Sequence, residues 1–257
     1  MIPAILFPLR KLASAAAVLL GSCAGSHAAL VDAGNGLVND TDINVTWVRD
    51  ANLFRTLAAQ SGDSAGFVSA VIASVPGGII ADSGNFYDTP PFSGYHRLTA
   101  EDFSPDSGRM SWFGAQAWVV YLNGIGYGGY TGWRLPATAG DLGTGADSEL
   151  GHLFYREFGG TTYESIVTTH ADAVNFGLFA NVQDTVYWSG AEYLRGPYMA
   201  WAYSNGSGLQ DYTDKNSSLF GWAVRSGQAV PAPAAMWLLG SALLGLAGLR
   251  RIGAGRG

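Results

Sequence analysis

The residues with the most evident chemistry lie in two short segments near the end of the chain, where oxygen acceptors stand beside aromatic rings. They are Glu192 and Tyr193 in WSGAEY, and Asp211, Tyr212, Asp214 and Asn216 in LQDYTDKNSS. Paired carboxylates can act as acid and base on glycosidic bonds, or can bind Ca²⁺ with amide and hydroxyl oxygens. The alternative is a turn, because Asp, Asn and Ser side chains bond to their own backbone. We favour the turn, and take residues 192–197 and 206–217 as the candidate surface for a sugar.

Other catalytic patterns are weak in this sequence. His96, His152 and His170 are not spaced with one another as metal ligands on a helix are. His152 lies among apolar residues, which favours a structural role. A Ser-His-Asp set can be assembled from almost any exported chain, so it does not by itself indicate a hydrolase. We therefore predict no catalytic residue and no metal site, with Ca²⁺ at the late turns as a weak alternative.

A second set of residues is predicted to be scaffold rather than site. An Arg between Trp133 and Leu135, followed by Pro136, suits the inward end of a strand, with the Arg134 guanidinium bonded to backbone carbonyls. Arg225 in WAVRSG is expected to do the same. Trp188 and Trp222 are assigned to the core, because alternate aromatic residues on a half-buried sheet mostly pack inward.

The elements that must position these residues follow from periodicity. Residues 45–48 predict a strand, and residues 64–75 a helix capped by Ser64. Residues 79–109 predict a long irregular segment, followed by helices over residues 111–124 and from Ser148 to about Gly159. After Thr185, short aromatic segments separated by Asn-Gly, Gly and Asp turns predict antiparallel strands. Helices followed by an antiparallel, aromatic-rich sheet make the fold class α+β.

The N-terminus has the features of a secretory signal peptide over residues 1–28. A basic pair precedes an apolar run, and small residues lead to a cleavage site after Ala28. A lipoprotein signal at Cys23 is the competing interpretation, and the sequence leaves it open. Cys23 is the only cysteine, so after cleavage at Ala28 the domain has no disulfide.

The C-terminus combines an uncharged apolar run, residues 229–249, with Arg250 and Arg251 directly after it. Its length and the following positive charges predict a transmembrane helix. With Val230, Pro231 and Pro233 in front, residues 230–257 resemble the PEP-CTERM sorting signal in its VPLPA form, except that Ala232 replaces the usual Leu. The resemblance implies export, transient anchoring in the inner membrane, cleavage by an exosortase, and release or attachment at the cell surface.

Between the two ends, residues 29–229 form the predicted exported domain. It has nine basic residues against twenty acidic ones, a net charge of −11. This charge argues against a nucleic-acid partner and against binding to anionic lipid.

The same domain resembles the Lcl C-terminal-like family. The resemblance spans most of residues 35–227 and rests on blocks such as GYTGWRLP (Gly129 to Pro136), SELGHLFYREFGG, VYWSGAEY and GWAVRSG. Residues 54–108 are not covered by it and are predicted to be an insertion of unassigned role. It implies a C-type-lectin-like fold and, in a few members, glycan or matrix binding.

These observations predict an exported surface or biofilm-matrix protein with a lectin-like binding or structural domain. Its expected partners are an exosortase, the inner membrane for a limited time, and a polysaccharide. The alternative is an extracellular enzyme that acts on polysaccharide. The ligand and the oligomeric state do not follow from the sequence.

Overall fold

The structure, a computed structural model, describes residues 29–230. The predicted signal peptide with Cys23 and Ala28, and the sorting signal from Pro231 onward, lie outside the described residues. The described chain contains short strands and helices in mixed order. The strands are β1 (Leu30–Gly34), β2 (Leu37–Asp40), β3 (Val45–Val48), β4 (Ile79–Ala81), β5 (Tyr95–Arg97), β6 (Phe103–Ser104), β7 (Arg109–Met110), β8 (Val186–Glu192), β9 (Met199–Ser204), β10 (Leu209–Asp214), β11 (Leu219–Phe220) and β12 (Val224–Ser226). The α-helices are α1 (Leu53–Ser61), α2 (Ser64–Ser74), α3 (Trp112–Gly124), α4 (Glu149–His152), α5 (Ile166–Thr169) and α6 (Ala173–Phe176).

The first sheet joins the two ends of the domain, with strand order β1-β2-β3-β12 and antiparallel neighbours. The predicted strand at Val45–Val48 is confirmed as β3, and all four of its residues are buried. Beyond β12, the Asn39 side chain donates to the carbonyl of Ala229 and accepts from its amide, both at 2.8 Å. This pair of bonds fixes the end of the domain to its beginning.

The longest helix among residues 29–230, α3, is confirmed where the sequence predicts it. Ser111 caps it by accepting from the Gly114 amide, as Ser residues commonly do at this position. Helices α1 and α2 pack on it through aromatic contacts such as Phe54 with Trp118, 5.4 Å between ring centroids and nearly perpendicular. The prediction that Ser64 caps α2 is wrong, because Asp63 is the cap and accepts from the Gly66 amide.

The helix predicted from Ser148 is confirmed, with one change of winding. Ser148 caps α4 by accepting from the Gly151 amide, and α4 continues directly into a π-helical segment, Leu153–Glu157. In a π-helix, backbone hydrogen bonds join residues that are five positions apart. This winding brings His152 and Glu157 side by side.

The second sheet has the strand order β10-β9-β8-β11-β7-β6. The predicted antiparallel strands after Thr185 are confirmed in β8, β9 and β10, although β11 pairs with β8 in parallel. Residues 79–109 are mostly irregular, as predicted, apart from short strands that include the β4–β5 pair. Trp222 packs between the two sheets, with its ring centroid 5.3 Å from Trp47 and 5.5 Å from Tyr187.

These elements confirm the α+β class. Within residues 29–230, no helix has the length and apolar character required to cross a membrane. The predicted transmembrane segment, residues 229–249, falls outside this range except for Ala229 and Val230.

Candidate functional site

The main cleft lies at the end of β8 and has a volume of about 500 Å³. Its lining mixes aromatic, polar and backbone surface, and includes Ser83, Trp112, Glu192, Tyr193, Leu194 and Trp201. Two of the predicted ligand residues, Glu192 and Tyr193, therefore line a single depression. It is concave and partly apolar, as small-ligand sites generally are.

A cluster of three aromatic rings lies beside this cleft: Tyr193 and Trp201 line it, and Tyr212, which is not part of the lining, packs on Tyr193. Tyr193 and Tyr212 stack face to face, 3.7 Å between centroids and 13° between planes. Trp201 meets both rings edge-on, at 5.5 and 5.8 Å. The stacking occupies one face of each tyrosine, so only the outer faces remain for a ligand. We call Tyr193, Trp201 and Tyr212 the aromatic cluster.

Two further aromatic residues near the cleft are exposed. Tyr198 lies between β8 and β9 and is 37% exposed, while Phe86 is 49% exposed. Their ring centroids are 5.2 Å apart. Sequence reasoning assigned no role to either residue. Phe86 lies in the segment 54–108, and only the fold brings it beside Tyr198.

The acidic residues of β10 do not form one site. Asp211 was expected in a turn, and this is wrong, because it lies within β10, whereas Asp214 is the last residue of that strand. Tyr212 is paired with Trp201 and Asp214 with Met199, and alternation along β10 sends Asp211 to the opposite face. There it lines a second depression, of about 400 Å³, whose lining also includes Ala202, Ser204 and part of Tyr212.

Asp214 and Asn216 make the local bonds of a turn. One Asp214 oxygen accepts from the Asn216 amide at 2.8 Å, and the other accepts from the Tyr87 hydroxyl at 2.5 Å. This Asx arrangement agrees with the preferred interpretation of these side chains. Burial and the neighbouring Asp214 raise the pKa of Tyr87 to about 12. Tyr87 therefore remains a donor to Asp214 at neutral pH.

Glu192 also has partners that the sequence did not indicate. Its carboxylate accepts from the Ser83 amide at 3.1 Å and from Lys215 Nζ at 3.1 Å. Lys215 in turn donates to Asp82 at 2.5 Å. Two of the three carboxylates considered for acid–base chemistry, Glu192 and Asp214, are thus engaged with donors inside the protein.

Among the predicted scaffold residues, Trp133 is 3% exposed, and its indole N–H lies 3.2 Å from the carbonyls of Tyr127 and Tyr130. The Arg134 guanidinium donates to the backbone carbonyl of Leu135 at 3.2 Å, as expected. It also forms a two-bond ion pair with Glu149, at 2.6 and 2.7 Å, which the sequence did not indicate and which raises the pKa of Arg134.

The remaining scaffold residues lie close to where they were predicted. Trp188 and Trp222 are buried and donate to the carbonyls of Met110 and Val48. Pro136 is buried, and its carbonyl accepts from the Gly190 amide at 2.8 Å. Arg225 donates to the carbonyls of Thr131 and Gly227, as expected.

The described residues contain one group with the geometry of a metal site, Asp40, His152 and Glu157. All three are buried, and their ligand atoms lie within 4.8 Å of one another. The two carboxylates that face His152 Nε2, Asp40 at 3.4 Å and Glu157 at 3.1 Å, raise the pKa of His152 to about 9 despite burial. At neutral pH the imidazolium therefore pairs with the two carboxylates, and a divalent cation would have to displace that proton. No sequence pattern indicates this group, because Asp40 lies far from the other two residues along the chain.

A second buried His–Asp pair lies beside the cleft. His96 Nε2 is 3.2 Å from both oxygens of Asp102, which also accepts from Ser111 Oγ at 2.6 Å and the Thr99 amide at 2.9 Å. Burial alone would lower the pKa of His96, but Asp102 and a bond to the Tyr87 carbonyl outweigh it and raise the pKa. Burial would raise the pKa of Asp102, and its three donors together lower it.

The fold defines a mixed α+β domain with two main sheets joined by a buried aromatic core, and with a partly aromatic cleft at the end of β8. The model of the Lcl C-terminal domain matches residues 36–225, and the chain belongs to this family. The family is consistent with an exported, surface-associated protein. Neither the curated proteins nor the solved structures yielded a match to the chain.

Proposed function

We propose that this protein is an exported surface protein whose domain binds a neutral or basic polysaccharide at the cleft beside β8. The observation that carries the proposal is the aromatic cluster of Tyr193, Trp201 and Tyr212, with exposed Tyr198 and Phe86 near it. Aromatic faces offer sugars an apolar surface, while nearby oxygen atoms accept their hydroxyl protons. The domain's net charge of −11 disfavours a polyanionic ligand.

The topology supports a C-type-lectin-like arrangement for the domain. The last strand, β12, pairs with β3 near the N-terminus, and the sheet β8-β9-β10 carries the cleft. Each sugar contact exchanges hydrogen bonds with water for a small net gain, about 1 kcal/mol. Useful affinity would then come from many copies displayed on one surface.

Processing by an exosortase is the second part of the proposal. Ala229 is 2% exposed and bonded to Asn39 and Thr46, whereas Val230 is 72% exposed. The buried core thus ends where the predicted Pro motif begins. Cleavage within that motif would release or transfer a domain whose last strand is already fixed.

The test measures glycan binding by the purified full chain in detergent, on arrays and by isothermal titration, with and without Ca²⁺. We expect weak binding that changes little in moderate salt. Tyr193→Ala, at a ring that lines the cleft, should weaken it at least severalfold, and Tyr163→Ala, at a tyrosine that is 79% exposed and outside the cleft lining, should not. Equal affinity for both variants would contradict the assigned surface. Release of soluble products from a polysaccharide panel would favour the alternative, an extracellular enzyme.

A further inference from the structure

A fully buried lysine lies where three separate parts of the chain meet. The side chains of Lys215 and Asp82 are both 0% exposed, and Lys215 Nζ is 2.5 Å from Asp82 Oδ2. Nζ is also 3.1 Å from Glu192 Oε2, whose side chain is 21% exposed. Asp82 directly follows β4, Glu192 ends β8 and Lys215 directly follows β10. The contact therefore joins the segment 54–108 to the second sheet.

The surroundings of Nζ are aromatic and rigid. Nζ lies 4.8 Å from the ring centroid of Trp112 and 5.6 Å from that of Phe113. The Lys215 backbone is held on both sides, since its amide donates to the Tyr198 carbonyl and its carbonyl accepts from the Trp112 amide. The amine and the carboxyl are thus held together without the freedom to separate, which favours a reaction between them.

This environment disfavours a lasting ion pair. Charges taken out of water lose their solvation, and only complete hydrogen bonding compensates for that loss. Asp82 Oδ1 is buried and accepts no hydrogen bond within the described residues. Burial raises the pKa of Asp82 even though Lys215 opposes the shift. Burial thus shifts Asp82 toward the neutral carboxyl group, which is the form that an amine can attack.

We infer that Lys215 and Asp82 condense to form an intramolecular isopeptide bond. Nζ attacks Cγ of Asp82, the N–C bond forms, one C–O bond breaks, and a water molecule leaves. The ammonium loses two protons, and both end on the departing oxygen. Glu192 accepts one of them from Nζ, delivers it to that oxygen, and is ionised again at the end. The step uses no oxidant or reductant.

Two neighbouring features assist this step. Asn85 Nδ2 donates to Asp82 Oδ2 at 2.7 Å, which draws electron density away from the carboxyl carbon. Glu192 and Ser83 line the main cleft, so the released water has a route to solvent.

The cross-link would substitute for disulfides in an exported domain that has none. Cys23, the only cysteine, precedes the predicted cleavage site. A covalent bond between residues 82 and 215 closes most of the domain into one loop. Such closure restricts the unfolded chain, as a long-range disulfide does.

The test is mass spectrometry of the full chain, denatured and then digested with a protease. We expect a peptide containing Asp82 and a peptide containing Lys215 joined in one species, lighter than their sum by one water molecule. Recovery of the two peptides separately at their sequence masses would overturn the proposal. So would a loss of water confined to the Asp82 peptide alone, because that outcome indicates a succinimide.

Variants test the two chemical roles. The Lys215→Ala protein should have the full mass of its own sequence, without the loss of a water molecule. Glu192→Gln keeps the size of the side chain but cannot accept the proton, and should leave the two peptides unjoined in a protein with a native near-UV circular dichroism spectrum. A fully joined Glu192→Gln protein would refute the proton-carrying role of Glu192. The peptide map of the wild-type protein shows whether the bond is present, even if a variant does not fold. Because this readout involves no ligand, its failure would leave the binding proposal untouched.

Discussion

Replacing Trp133 with Ala should destabilise the domain more than most single substitutions. Trp133 is 3% exposed, and its ring lies 6.0 Å from that of Tyr127. Cleavage at the predicted site removes the single cysteine, so the domain has no disulfide. Burial of such side chains is therefore a main source of its stability. Removing a buried Trp side chain costs about 3–5 kcal/mol in the free energy of unfolding, through lost apolar contact and the cavity left behind.

A second substitution separates packing from hydrogen bonding at the same position. Trp133→Phe keeps most of the apolar contact but removes the indole N–H, which lies 3.2 Å from two carbonyls, those of Tyr127 and Tyr130. The Tyr127 carbonyl still accepts from the Tyr130 amide, so the loss is that of a single hydrogen-bond donor, about 1 kcal/mol. The expected order of stability is therefore wild type, then Trp133→Phe, then Trp133→Ala.

Urea denaturation, followed by far-UV circular dichroism and tryptophan fluorescence, measures both effects. With a slope of about 2 kcal/mol/M, Trp133→Ala should lower the midpoint by roughly 1.5–2.5 M. Tyr163→Ala, at a side chain that is 79% exposed, is the control and should change stability by less than about 0.5 kcal/mol. A Trp133→Ala midpoint within experimental error of the control would refute the scaffold role and reopen a ligand-binding role for Trp133.

Two further outcomes are expected. The pKa of His96 is raised above 6.5, so its contribution to stability is complete below about pH 6.5 and is lost as the pH rises through the raised folded-state value. The pKa of Asp102 is lowered, so the ionised Asp102 contributes its full stability to the fold above about pH 3.8. That contribution is lost as the pH falls through the folded-state pKa. The stability difference between wild type and His96→Gln should thus be larger near about pH 5.5 than near about pH 9, and equal differences by urea titration would contradict this. For sorting, replacing Pro231 and Pro233 with Ala should leave an unprocessed form in the membrane fraction, because a helix continued through the motif would hide the cleavage site. Surface material from wild type that retains Arg250, by mass spectrometry, would disprove exosortase cleavage.

Local patterns account for the elements that the sequence predicted correctly. Ser111 and Ser148 caps mark the starts of α3 and α4, because a side-chain oxygen that accepts from the backbone three residues later needs only neighbouring residues. Alternating aromatic residues predicted β8 and β9 for the same reason, since strand periodicity is a local property. The family resemblance over residues 35–227 agrees with the matched range, 36–225.

The pairing of charged groups could not be predicted from the sequence. Arg134 pairs with Glu149, and Lys215 with Asp82 and Glu192, because strands and loops from distant parts of the chain meet there. The two-residue period of β10, once its sheet partners are known, places Asp211 and Tyr212 on opposite faces. Sequence spacing alone suggested a single site, because spacing does not show to which face of the sheet each side chain of β10 points.

The sequence by itself therefore determined the fold class, the positions of the main helices and late strands, and the family. Only the tertiary structure decided which aromatic residues share a cleft, that His152 lies between Asp40 and Glu157, and that a lysine lies buried against a carboxyl group. The physical reason is the range of the interactions. Helix caps and strand alternation act within a few residues, whereas ion pairs, stacked rings and buried reactive groups form between segments that meet only when the core packs.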